Sequence, residues 1–196
     1  MVVIILGSPG SGKGTQAERV AQKLDIVPIS TGQLLRDEVA KGTQLGKEVE
    51  PFMLRGEWVP AEKTIQVLTS KLDTIDLEKG FVLDAFPRLL DELMLFESYL
   101  KSKGQAISIV LNLKVDDQVS LHRIQERRAS KSSKKKFRKD ESDEVTLKRI
   151  NLHHKTVEPI LDHFRALNLL YEVNGNLSVD EVYNQIEKIL VDKFDL

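Results

Sequence analysis

The chain contains no cysteine. Disulfides and thiolate metal sites are thereby excluded, and a reducing compartment such as the cytoplasm is the expected setting. An excess of charge of either sign is also missing: 29 Lys and Arg stand against 30 Asp and Glu, a formal net charge of −1. Proteins that hold nucleic acid through its backbone usually carry a strong positive excess, so no nucleic-acid partner is expected. Long hydrophobic runs are absent too. The apolar start Met1–Leu6 has no basic leader and stops at Gly7-Ser8-Pro9-Gly10, too early for a secretory or membrane segment, so it reads as a buried strand and no membrane partner is expected. No internal repeat is present.

What is there is a chain of 196 residues with 41% hydrophobic content, enough for one compact α/β domain with a real core. Short apolar runs predict five strands, at Val2–Leu6, Val27–Ser30, Phe81–Asp84, Ile107–Leu113 and Leu169–Val173. Apolar residues at helical spacing predict helices over 13–24, 61–72 and 89–103, and further helices are expected over 31–41, 44–54, 116–128 and 179–191. A further helix over 140–167 is expected to bend or split near Pro159. Strands alternating with helices imply a parallel five-stranded sheet covered on both faces, with ligands at the carboxyl ends of the strands. Three features fall at those ends: Gly7–Thr15, Ser30–Arg36 and Asp84–Arg88.

The first of these fits G-x-x-x-x-G-K, with Gly14 and Thr15 following Lys13. Between a strand and a helix start, the glycines Gly10, Gly12 and Gly14 around Ser11 let backbone amides turn towards phosphate oxygens, and the helix N-terminus adds a fixed positive partial charge. Lys13 can reach the β- and γ-phosphates, and Thr15 offers a hydroxyl near a metal. This predicts a P-loop NTPase-type nucleotide site and leaves the reaction open.

Four stretches in order carry a resemblance. They are Gly7-x-Pro-Gly-x-Gly-Lys-Gly-Thr-Gln16, Ile29-Ser-Thr-Gly32 with Leu34-Leu35-Arg36, Gly56-Glu-Trp-Val-Pro60, and Asp84-Ala-Phe-Pro-Arg88. Together they resemble the adenylate kinase family along essentially the whole chain. The resemblance implies transfer of the terminal phosphoryl group of MgATP to AMP, giving two ADP. It also implies a core at 1–29, 60–126 and 138–196, a small monophosphate-binding lobe at 30–59, and a short lid at 127–137.

Residue roles follow from the resemblance in the same way. Arg36 and Arg88 would hold the phosphate of the monophosphate. Arg123, Arg127, Arg138 and Arg149 would close over the transferring group, a kind of contact worth on the order of 10³ to 10⁵ in rate. ATP would lie against Gly10–Thr15, Arg123, Arg127 and Leu177. AMP would lie against Thr31, Arg36, Glu57, Trp58, Val59, Ala85, Phe86, Pro87, Arg88, Glu92, Arg138 and Arg149. Mg²⁺ would be held through phosphates and water near Thr15 and Asp84. With no cysteine and a short lid, no structural zinc is expected. Short-lid relatives are mostly monomers.

Several side chains keep a second reading. Arg128 and Arg165 read as solvated helix faces. Lys131, Lys134, Lys135 and Lys136 either attract phosphates at range or belong to a solvated loop. Trp58 edges the monophosphate site or anchors the small lobe's core, the core reading being favoured. His153, His154 and His163 read as surface or packing residues. Three departures from the family pattern also bear on function. Gln33 stands where an aspartate helps order the metal's water, and Ala85 stands where the family has glycine. Glu92 replaces a base-reading glutamine. A carboxylate only accepts hydrogen bonds, which suits guanine, whereas Thr31 matches the adenine pattern. The expectations are therefore AMP kinase first, with a GMP kinase, a nucleotide-binding regulatory protein, or a phosphate-loop kinase for another small acceptor as alternatives.

Overall fold

The structure, a computed structural model, describes residues 1–129 and 142–195. Five strands, β1 (Val2–Gly7), β2 (Val27–Ser30), β3 (Phe81–Asp84), β4 (Ile109–Lys114) and β5 (Leu170–Asn174), form one sheet in the order β2-β3-β1-β4-β5. Every pairing is parallel. Parallel strands need crossovers, and eight helices among the described residues supply them: α1 (Lys13–Leu24), α2 (Thr31–Lys41), α3 (Gln44–Leu54), α4 (Ala61–Leu72), α5 (Leu90–Ser102), α6 (Asp117–Ala129), α7 (Asp143–Ala166) and α8 (Val179–Phe194).

Two apolar layers cover the sheet, as continuous runs buried on both faces require. One side packs Val2, Ile4 and Leu83 against α4, α5 and α7, where Phe86 meets Phe96 edge-on at 5.1 Å between centroids. The other packs Val3, Ile5 and Leu111 against α1 and α8. A third, smaller core joins Leu35 of α2, Val49 and Met53 of α3, Val59 of the segment after α3, and Val67 of α4.

Of the bend or split expected near Pro159, the split does not occur: α7 runs as one helix of 24 residues through it. Proline removes one intrahelical bond there. Burial of Ile160, Leu161 and Phe164 immediately beyond holds the helix on the sheet.

Register is what positions the site. Ser30 pairs with Asp84, and Asp84 pairs with Ile5, so the ends of β2, β3 and β1 lie side by side. The chain order reverses about β1, which has β3 on one side and β4 on the other. The loop after β1 therefore emerges at the switch point where such sheets bind ligands.

Candidate active site

The Gly7–Thr15 loop takes its shape largely from backbone conformation, and the Ser8 hydroxyl ties it to Ser120 of α6 at 3.1 Å. Gly12 caps α1 at φ 90°, a left-handed conformation that costs a larger residue, and no side chain caps the first turn. A Cβ at Gly12 would meet nothing within 4 Å, so the helix N-terminus faces open space. On the opposite wall a Cβ at Gly10 would come within 2.4 Å of the Ser120 carbonyl, so α6 packs directly on the loop. Lys13 folds over the loop and donates to the Ser8 carbonyl at 2.9 Å. Thr15 is exposed beside it.

Asp84 ends β3 next to this cradle. A Cβ added to Gly14 would lie 3.4 Å from Asp84 Oδ2. Asp84 Oδ1 is buried and has no hydrogen-bond partner among the described residues. A buried carboxylate oxygen without a partner is costly unless water or a cation serves it.

Across the cleft, the residues after β2 and β3 bring two guanidinium groups together. A Cβ on Gly32 would stand 3.2 Å from Arg88 Nη2 and 3.4 Å from Arg36 Nη1, so the missing side chain is the space the two arginines share. Gln33 Oε1 accepts from Arg36 Nε at 3.3 Å and Nη2 at 3.0 Å. The Gln33 amide donates to Asp37 at 2.7 Å, so Gln33 is engaged within α2. Arg88 lies 5.3 Å over the Trp58 ring and approaches Thr31 Oγ1 at 3.5 Å. Thr31 is buried and donates to the Ala85 carbonyl at 3.4 Å.

Several expected site residues have other tasks in this conformation. Phe86 and Pro87 are buried, and Phe86 anchors the β3 end in the core. Val59 is buried in the small core. Trp58 is half-buried and is not among the residues of that core; its ring meets Arg88 and its N–H meets Thr156 on α7. Glu57 bridges Arg55 and Lys148, and those two cations hold its carboxyl down at about 2. Glu92 is the clearest departure. Only 1% exposed, its Oε2 accepts from the amides of Arg88 at 2.6 Å and Leu89 at 3.3 Å, closing the N-terminus of α5. Burial pushes this carboxyl above its ordinary range, against the pull of Arg88. The carboxylate expected at a base edge is here a helix cap.

Arg123 also has a partner set that its sequence does not disclose. Its Nη1 donates to the carbonyls of Gly175 at 2.8 Å and Ser11 at 3.5 Å, and its Nη2 donates to Leu177 at 2.9 Å. It joins the phosphate-binding loop to the exposed β5–α8 turn. Arg149 donates to the Met53 carbonyl at 3.2 Å, linking α7 to α3. Arg127 is exposed on the last turn of α6. Arg138, Lys131, Lys134, Lys135, Lys136 and most of the expected lid lie outside the described residues. Arg128, read as a solvated face, is instead mostly buried. It ion-pairs with Asp143 and donates to Thr146 Oγ1 at 2.9 Å, joining the end of α6 to the start of α7. Arg165 does stay on the surface, paired within its own helix.

The histidines hold structural positions. His154 meets Asp117 at 2.9 Å and His163 meets Glu97 at 2.8 Å. Burial, followed by the nearby Lys13, lowers His153 to about 3. Among the described residues, no group of three or more His, Asp or Glu could hold a metal ion. No described helix is long and apolar enough to cross a membrane.

The family model for adenylate kinase matches residues 5–169. Relatives named adenylate kinase include one from Archaeoglobus fulgidus, 36% identical over 97% of this chain and 98% of its own length. One from Parvibaculum lavamentivorans is 37% identical over 97% of this chain and 92% of its own. Another, from Deinococcus deserti, is 39% identical over 95% of each. With the matched segment covering most of the chain and such relatives spanning nearly all of it, this chain belongs to the adenylate kinase family.

Proposed function

We propose that the chain catalyses the reversible reaction of MgATP with AMP to give two ADP, with the two nucleotides facing each other across the carboxyl ends of β1, β2 and β3. The observation that carries this reading is the register that sets Ser30 beside Asp84 and Asp84 beside Ile5. A lysine-bearing amide cradle and two arginines thus border one cleft. In-line phosphoryl transfer asks for positioning and neutralisation of charge rather than covalent chemistry.

ATP phosphates lie in the Gly10–Thr15 cradle, with Lys13 leaving its own loop carbonyl for the β- and γ-oxygens. Arg123 supports the wall formed by Leu177 rather than reaching for phosphate itself. Arg36 and Arg88 receive the phosphate of AMP over Gly32. Arg127, Arg138 and Arg149 approach the transferring group as the 127–137 lid and the 30–59 lobe close and exclude water. The chain acts as a cytoplasmic monomer, the state expected of short-lid relatives.

The residues present fit a magnesium ion carried with ATP. The orphaned Asp84 Oδ1 suits an ion that keeps its waters, and exposed Thr15 is the hydroxyl the resemblance assigns to it. Bound there, Mg²⁺ would neutralise phosphate charge. Gln33 is engaged with Arg36, so Asp84 is the carboxylate left for this task.

AMP is favoured as acceptor over GMP because the Glu92 carboxylate, the one feature that suited guanine, closes α5. ADP formation from ATP with AMP, GMP, CMP or UMP in turn tests this. A clear preference for AMP is expected, and equal or greater turnover of GMP would reject it.

A further inference from the structure

Trp58 joins parts of the chain that are far apart in sequence. Its ring faces the Arg88 guanidinium at 5.3 Å, and its N–H donates to Thr156 Oγ1 on α7 at 3.3 Å. Thr156 spends its own proton on the Leu152 carbonyl at 3.0 Å, leaving its lone pairs to accept from the indole. The ring is therefore held at its edge while its face meets the cation. The main chain of Arg88 is fixed separately, through its amide to Glu92 at 2.6 Å.

Arg88 is held where positive charge gathers. Its Nη2 and the Nη1 of Arg36 both crowd the space over Gly32, where two positive groups repel. Arg36 is restrained by the neutral oxygen of Gln33. The negative face of an indole offers Arg88 a comparable neutral restraint, the strongest of the aromatic rings for this purpose. Neither holder carries a charge that would compete with an incoming phosphate.

We propose that Trp58 is a positioning residue for the acceptor: it holds the Arg88 guanidinium in place before the monophosphate arrives, so that binding orders one side chain fewer. The proposal rests on the reading that Arg88 receives the AMP phosphate. Trp58 itself need not touch the nucleotide.

Steady-state kinetics of W58L and W58F, with each nucleotide varied in turn, test this. W58L removes the π face and should raise KM for AMP about threefold to tenfold, with KM for ATP unchanged. W58F restores a π face and should recover most of that loss. Equal rises in KM for both nucleotides, a W58L value for AMP within twofold of wild type, or W58F as impaired as W58L would each overturn the proposal. Should W58L melt below the assay temperature, T156V decides. Removing the indole's acceptor should raise KM for AMP by about twofold or more and leave ATP alone, and no change overturns the role. Wild-type turnover of AMP is the control, because its absence removes the reading beneath the proposal, whereas intact turnover with insensitive variants removes only the role of Trp58.

Discussion

The guanidinium of Arg123 donates to the carbonyl of Gly175 at 2.8 Å, tying α6 to the turn between β5 and α8. A second bond to Leu177 and a longer one to Ser11 make this one side chain the link between that turn and the phosphate-binding loop. Charged hydrogen bonds of this kind are worth more than neutral ones. R123A should therefore raise KM for ATP by about tenfold or more while KM for AMP moves little. R123K should not rescue it, since an ammonium lacks the planar fork that spans two carbonyls. Initial rates with each substrate varied in turn provide the check, and an equal effect on AMP would contradict the assignment.

Glu92 gives a prediction that separates stability from selectivity. E92A leaves the amides of Arg88 and Leu89 without their acceptor and should destabilise the fold by about 1–3 kcal/mol in urea denaturation. E92Q keeps an acceptor and removes a buried charge, so it should stay close to wild type in stability and leave the preference among monophosphates unchanged. A shift of preference between AMP and GMP in E92Q would return Glu92 to the base edge.

Ala85 sits at φ 60°, in the left-handed region that disfavours a Cβ by about 1–2 kcal/mol. A glycine there relieves that cost, while its freer unfolded chain offsets part of the gain. A85G should raise the thermal midpoint by about 1–2 °C, read by calorimetry. A lowered midpoint would show that the methyl's packing outweighs its backbone cost.

His153 makes stability depend on pH. Its neighbours in charge are Lys13, His154 and Arg88, which oppose protonation, and Asp117, which favours it; burial is the largest influence. The folded value of about 3 lies below the ordinary 6.5. Between these values the unfolded chain binds the extra proton, so this contribution is complete above pH 6.5 and is lost as pH falls towards 3. The slope can reach about 1.4 kcal/mol per pH unit. Denaturation of wild type and H153L at pH 7 and pH 5.5 isolates it. Wild type should lose more stability than the variant across that interval, and parallel losses would contradict the account.

Much of this was legible in the sequence, for reasons that differ by element. Buried parallel strands are continuous apolar runs, and α3 and α4 carry clear helical spacing, so β3, α3 and α4 match the expected bounds to the residue. The Gly7–Thr15 cradle was legible because it needs glycines and a lysine at fixed spacing. Pro159 does not split its helix, because a local rule about a missing donor is outweighed by the apolar residues following it. Arg128 misled because an arginine at a helix end looks solvated until Asp143 and Thr146 arrive from another helix. Glu92 shows the same limit in a sharper form. The family pattern predicts a base contact, whereas the acidic residue at the third position of α5 also has the spacing of a cap, which is a local signal in the sequence. The carbonyl partners of Arg123 could not be read at all, because backbone acceptors have no sequence signature.

The most direct test of the central claim is the stoichiometry of nucleotides after the purified chain is given MgATP and AMP. Two ADP should appear for each ATP consumed, only when AMP is present, and K13M should abolish this while melting as wild type does. ADP and inorganic phosphate appearing one to one regardless of AMP, or substantial turnover by K13M, would contradict the account.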